Sequence, residues 1–114
     1  MAHTVLITAV AERQLRRLPV RDQRILLTAI RTRLVDHPSV VSNAIKKLRP
    51  NPLAQWELRV EHWRVLYNVV GNEVVLLLIG LKSGNKLIVD GEEFHGHRND
   101  DPEPPVGESG GNPV

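Results

Sequence analysis

The 114-residue chain has no cysteine. That excludes a disulfide framework, a thiolate zinc site and a cysteine nucleophile together, and it fits a reducing compartment. Long apolar runs are lacking too. The longest, Val74 to Ile79, is strand-sized and falls far short of a membrane span. The opening MAHTVLITAVAERQLRRLP carries no basic segment ahead of its short apolar run, so no signal peptide is expected and the expected location is the cytoplasm, away from membranes. A phosphate-cradling glycine loop is also missing, because GLKSGNK lacks the P-loop spacing. Asp90, Glu92 and Glu93 are neighbouring carboxylates without a partner cluster. No His, Asp and Glu grouping has ligand spacing, so neither a metal nor another cofactor is expected.

What is present is positive charge, unevenly distributed. Residues 1–89 hold fourteen Lys or Arg against six Asp or Glu, a formal excess of +8, whereas residues 90–114 hold one Arg against seven acids, or −6. The net value of +2 hides this division. A basic body has the electrostatics of a polyanion binder, and nucleic acid is the usual partner. The end of the chain, HRNDDPEPPVGESGGNPV, is rich in Pro, Gly and acid and is expected to be disordered.

The chain is expected to begin with a strand, His3 to Thr8. Thr8 can cap a helix starting at Ala9, whose apolar positions Ala11, Leu15 and Leu18 recur at helical spacing. Pro19 ends that helix and can open the next. The second helix is expected to reach about Val35, with Leu27, Ile30 and Leu34 on one stripe and Leu26 widening it, before His37-Pro38 stops it. A loop, Ser39 to Leu53, then presents Lys46, Lys47 and Arg49 at the mouth of the sheet.

Trp56 to Tyr67, WELRVEHWRVLY, reads as two strands joined by a two-residue turn. Period-two alternation puts Glu57 and Arg59 on the face opposite Trp56. Whether Arg64 joins them depends on the turn register, which the sequence leaves open. If it does, two guanidiniums and a carboxylate converge on a rigid sheet, a set suited to gripping a phosphate. The plainer alternative is cross-strand ion pairing on a solvent face. Gly71-Asn72 marks a second hairpin, and Glu73 to Ile79 reads as a central strand covered on both faces. Gly80 allows a bend, Lys82 is placed just past the strand end, and Leu87 to Val89 can form a short edge strand. The resulting fold is α+β, β-α-α-β-β-β(-β), with two N-terminal helices packed on a largely antiparallel sheet. One domain over residues 1–95 is followed by the tail, 96–114.

In this order the segments resemble the RelE/ParE superfamily of toxins from bacterial type II toxin–antitoxin systems. The likeness spans roughly residues 3–94 and rests on the first strand, the QLRRLP helix end, the KKLRP loop, the WELRV and WRVLYNV strands, and VVLLLIGLKSGNKL. It implies a growth-arresting toxin held silent by an antitoxin protein. RelE-like members are endoribonucleases that stop translation by cutting mRNA on the ribosome; ParE-like members poison DNA gyrase and lack a nuclease site. By resemblance, Arg59, Arg64 and Lys82 match phosphate-binding and transition-state residues; Lys46, Lys47 and Arg49, three positive charges in four positions, are expected RNA-binding positions. Two departures stand out. Glu57 takes the place of a basic residue, and Leu87 or Ile88 stands where a terminal aromatic hydroxyl is expected. Glutamate can serve as a general base, and relatives of the YoeB type pair one with a histidine. The histidine candidates here are His62 and His95, and for each an ordinary exposed histidine is the favoured reading. A nucleic-acid-binding relative without catalytic power is the third class left open.

Overall fold

A computed structural model describes residues 2–94. The expected tail, 96–114, and His95 lie outside the described residues. Strand β1 (Thr4–Ile7) leads into helices α1 (Ala9–Arg16) and α2 (Val20–Leu34), followed by β2 (Ile45–Lys47), β3 (Trp56–Val60), β4 (Trp63–Val70), β5 (Glu73–Ser83), β6 (Lys86–Val89) and β7 (Glu92–Phe94). Two helices therefore pack on one mostly antiparallel sheet, in the order β2-β3-β4-β5-β6-β7, with β1 parallel to β5. The α+β expectation holds, with more strands than expected. The supposed loop Ser39–Leu53 contains β2, added as an edge to β3. The outer strand beyond β5 is β7, so β6 is an inner strand and not the expected edge.

Local chemistry explains the helix boundaries. The hydroxyl of Thr8 accepts from the Ala11 amide at 3.2 Å, capping α1 as its sequence suggested. Pro19 occupies the cap position of α2 and not its first turn. The Gln23 side chain then donates to the Leu18 carbonyl at 2.7 Å, meeting one of the acceptors left open where α1 ends. On α2 the buried residues are Leu26, Ile30 and Leu34, while Leu27 is only half-buried. The buried stripe is thus rotated slightly from the expected one.

The helix side of the sheet carries the main core, including Leu26, Leu58, Val65, Tyr67, Val74 and Leu76. The opposite side carries a smaller cluster of Leu48, Ala54, Leu66, Leu78 and Leu87. Covered on both faces, β5 is apolar throughout its middle. Its far edge is shared: β1 pairs along Glu73 to Leu76, and β6 along Leu81 to Ser83. Between them the Ile79 amide would lack a ladder partner. The buried side chain of Gln14 accepts from it at 2.7 Å.

Candidate functional site

The β3–β4 register settles the face of Arg64. Arg59 lies directly opposite Arg64, across the two-residue turn Glu61-His62, and Glu57 is opposite Leu66. Directly opposed residues project from the same face, so Glu57, Arg59 and Arg64 share the side of the sheet away from the helices. Lys46 is opposite Glu57 on β2 and joins them. Lys82 does so as well, for a reason the sequence did not reveal. Between the pairs Tyr67–Leu76 and Leu66–Leu78, β5 carries one extra residue, Leu77. This bulge inverts the alternation beyond it. Without it Lys82 would share the phase of Leu76 and face the helices; with it Lys82 takes the phase of Leu78 and Gly80, and Gly80 is the residue opposite Arg64. Lys82 also lies within β5 and not past its end, its amide bonded to the His62 carbonyl at 2.7 Å.

The electrostatics of this set follow from its burial. Opposed arginines on neighbouring strands repel and cost stability. The Glu57 carboxylate, buried with 8% of its side chain exposed, lies 3.5 Å from the Arg59 Nε and offsets part of that cost. Burial lowers the Arg64 pKa, Glu57 acts to restore it, and the Arg59 charge lowers it further. Nη1 of Arg64 donates to the carbonyls of Glu61 at 2.9 Å and Trp63 at 2.8 Å, which fixes one end of the fork against the turn. The group is therefore a cationic face with one carboxylate built into it, a set of charges of the kind that suits an anion such as phosphate.

The three expected RNA-binding residues are not grouped as a loop would present them. Lys46 faces the arginines. Lys47 is opposite Trp56 on the other side of β2, its ammonium 5.5 Å from the indole centroid. Arg49 follows on the rim of a cavity at the far end of the sheet. His62 is exposed on the turn, and its backbone carbonyl makes the bond to Lys82. Asp90 pairs with Arg17 at 3.1 Å and Glu93 lies 3.8 Å from Lys86. Among the described residues no three His, Asp or Glu cluster in a way that could hold a metal, and no helix is long and apolar enough to cross a membrane.

The architecture has a counterpart among solved structures. It is similar to a chain of the toxin–antitoxin complex RelBE2 from Mycobacterium tuberculosis, at a TM-score of 0.59 and 25% identity, over 72% of this chain and 100% of that one. The fold is RelE-like. No family model matches the chain, and no curated protein does either. Within this RelE-like frame the departures noted in the sequence have definite places. Leu87 is buried opposite Lys82 on the arginine face, and Ile88 points to the helix side. The sole tyrosine, Tyr67, is in the core, donating to the Pro38 carbonyl at 2.6 Å. It cannot supply a hydroxyl to the arginine face.

Proposed function

We propose that the chain is the toxin of a toxin–antitoxin pair and acts as a metal-independent endoribonuclease on messenger RNA, with an antitoxin protein as its partner. The observation that carries this reading is the directly opposed Arg59–Arg64 pair, backed by buried Glu57 and held on a rigid hairpin. A repulsive pair kept in place by a buried counter-charge is poorly explained as a stabilising device. It is well explained as a clamp for a doubly charged transition state. RNA cleavage of this kind needs a base for the 2′-hydroxyl. The 2′-oxygen then bonds to phosphorus as the bond to the 5′-oxygen breaks, leaving a 2′,3′-cyclic phosphate and a 5′-hydroxyl. Arg59 and Arg64 hold the phosphate and the charge that grows on it, usually the largest catalytic contribution. In this reading Glu57 orients Arg59 and takes the 2′-hydroxyl proton. Lys82, diagonally across from Arg64, serves the departing 5′-oxygen. The excess positive charge of the body suits both the ribosome-bound message and an acidic antitoxin segment.

A second reading, a gyrase inhibitor without nuclease chemistry, is favoured by one observation: aliphatic Leu87 and Ile88 occupy the stretch where the aromatic hydroxyl is expected. Induction of the protein separates the two. The nuclease reading expects translation to stop with cut messages, and expects Arg64→Ala to relieve the arrest at unchanged melting temperature. Arg64→Lys should rescue poorly, because an ammonium lacks the planar fork. DNA damage with intact messages, or full toxicity of a stably folded Arg64→Ala protein, would overturn it.

A further inference from the structure

We propose that the cavity at the foot of β2 and β3 is a nucleotide subsite, occupied by a residue of single-stranded nucleic acid a few nucleotides away from the one held by Arg59 and Arg64. The inference deepens the nuclease reading and rests on it for the direction of the strand. The cavity has a volume of about 520 Å³, room for a base with its sugar and phosphate, and its walls include Lys47, Arg49, Pro50, Gln55, Trp56 and Val69. Three features make it a built site. Lys47 is held over the Trp56 ring, which fixes its ammonium at the wall. Neither Lys47 nor Arg49 is in an ion pair among the described residues, so both charges are available to a phosphate. Gln55 accepts from the Val69 amide at 3.0 Å through Oε1, which orients its amide and leaves Nε2 as a donor for a base carbonyl.

The rim is rigid as well. Asn51 spends its whole side chain on its own turn, donating to the Arg49 and Ala54 carbonyls and accepting from the Leu53 and Ala54 amides. Pro50 and Val69 give the base an apolar wall. Position follows from the register. Gln55 is four residues before Arg59, roughly 13 Å along β3, and Lys46 lies between the two levels on the edge strand. Lys46 and Lys47 project from opposite faces of this edge strand, so nucleic acid leaving the arginine clamp would pass Lys46, cross the edge at β2 to reach Lys47 and Arg49, and could seat a base a few nucleotides further on in the cavity.

The test uses a 2′-deoxy hexanucleotide of mixed sequence, which can bind but offers no 2′-hydroxyl, titrated into the full chain while backbone amides are followed by NMR. Amides of Lys47, Arg49, Gln55 and Gly71 should shift along with those of Arg59 and Arg64. Lys47→Ala with Arg49→Ala should weaken binding about tenfold at low salt and reduce the slope of log affinity against log salt by about 1.4, two phosphate contacts on a single strand. Gln55→Glu, which keeps the acceptor for Val69, should weaken binding by charge while preserving the fold. The proposal is overturned if the cavity amides stay still while those of Arg59 and Arg64 move, and the nuclease reading then survives. It is also overturned if inorganic phosphate alone reproduces the shifts, which would make this an anion site. Equal shifts with hexaglutamate would make it a protein-docking site. Silence at both places would remove the nucleic-acid reading with it.

Discussion

At the scale of single residues, the chain uses its one tyrosine for structure. Tyr67 is fully buried, lies parallel to Trp56 with ring centroids 6.5 Å apart, and donates its hydroxyl to the Pro38 carbonyl. Tyr67→Phe leaves that carbonyl without its partner and should cost about 1–2 kcal/mol in denaturant unfolding at neutral pH. Burial pushes the phenol well above the ordinary tyrosine range. Because the folded pKa is raised, its contribution is fully present below the unfolded value, about 10. It is lost as pH rises from there through the folded pKa. The stability gap between the unaltered protein and its Tyr67→Phe variant should therefore stay constant up to about pH 10 and narrow above it; a gap that widens with alkali would contradict this assignment. The same scale shows what was legible. Alternation alone placed Glu57 and Arg59 on one face, since a strand permits only two. The direct opposition of Arg59 and Arg64 needed the turn register, in which Glu61 takes a left-handed backbone at φ 55°. Nothing in the residue types around the turn announces that register. The burial of Glu57 also escaped the sequence, because a glutamate between Trp and Leu reads as the polar half of an alternating strand.

At the scale of elements, β5 is where sequence reasoning reached its limit. Its run VVLLLI was legible as a strand covered on both faces, yet continuous apolarity erases the phase that a bulge would disturb. The extra Leu77 therefore left no sign, although it decides which way Lys82 faces. The short β2 was hidden for another reason: Ile45-Lys46-Lys47 has too few residues to show alternation and lies among prolines. Gly80 was expected to permit a bend, and its use is a close approach of chains. A Cβ there would lie 2.9 Å from Leu87 Cδ1 and 3.0 Å from both the Ile88 carbonyl and Val89 Cγ2. The carbonyl is backbone and cannot simply swing away. Gly80→Ala should cost about 1–3 kcal/mol, seen as a fall in melting temperature of about 4–8 °C for each kcal/mol. An unchanged melting temperature would mean that β6 yields without penalty.

At the scale of the whole molecule, charge is divided between a basic body and an acidic end. Residues 96–114 carry one Arg and four acids, so their removal raises the formal net charge from +2 to +5. Every buried hydrophobic residue of the two clusters lies between Ala11 and Leu87. A chain ending at His95 should accordingly melt at nearly the same temperature and bind single-stranded nucleic acid more tightly than the full chain, with the gain larger at low salt than at high salt. Unfolding on truncation would show that the removed residues belong to the body. The fold class was legible at this scale because helices and strands come in blocks, but the parallel pairing of β1 was not, since its partner is so distant. Thr4 stands 69 positions before Glu73. During synthesis β1 has no partner until Glu73 to Leu76 have left the ribosome, and by then both arginines and the edge strand beside them already exist. The sheet that aligns the cationic face is thus completed by strands far apart in sequence. A translation product that stops between Arg64 and Glu73 carries both arginines without the strand that frames them, so a cell making this protein would meet the assembled face only after β5 has been made.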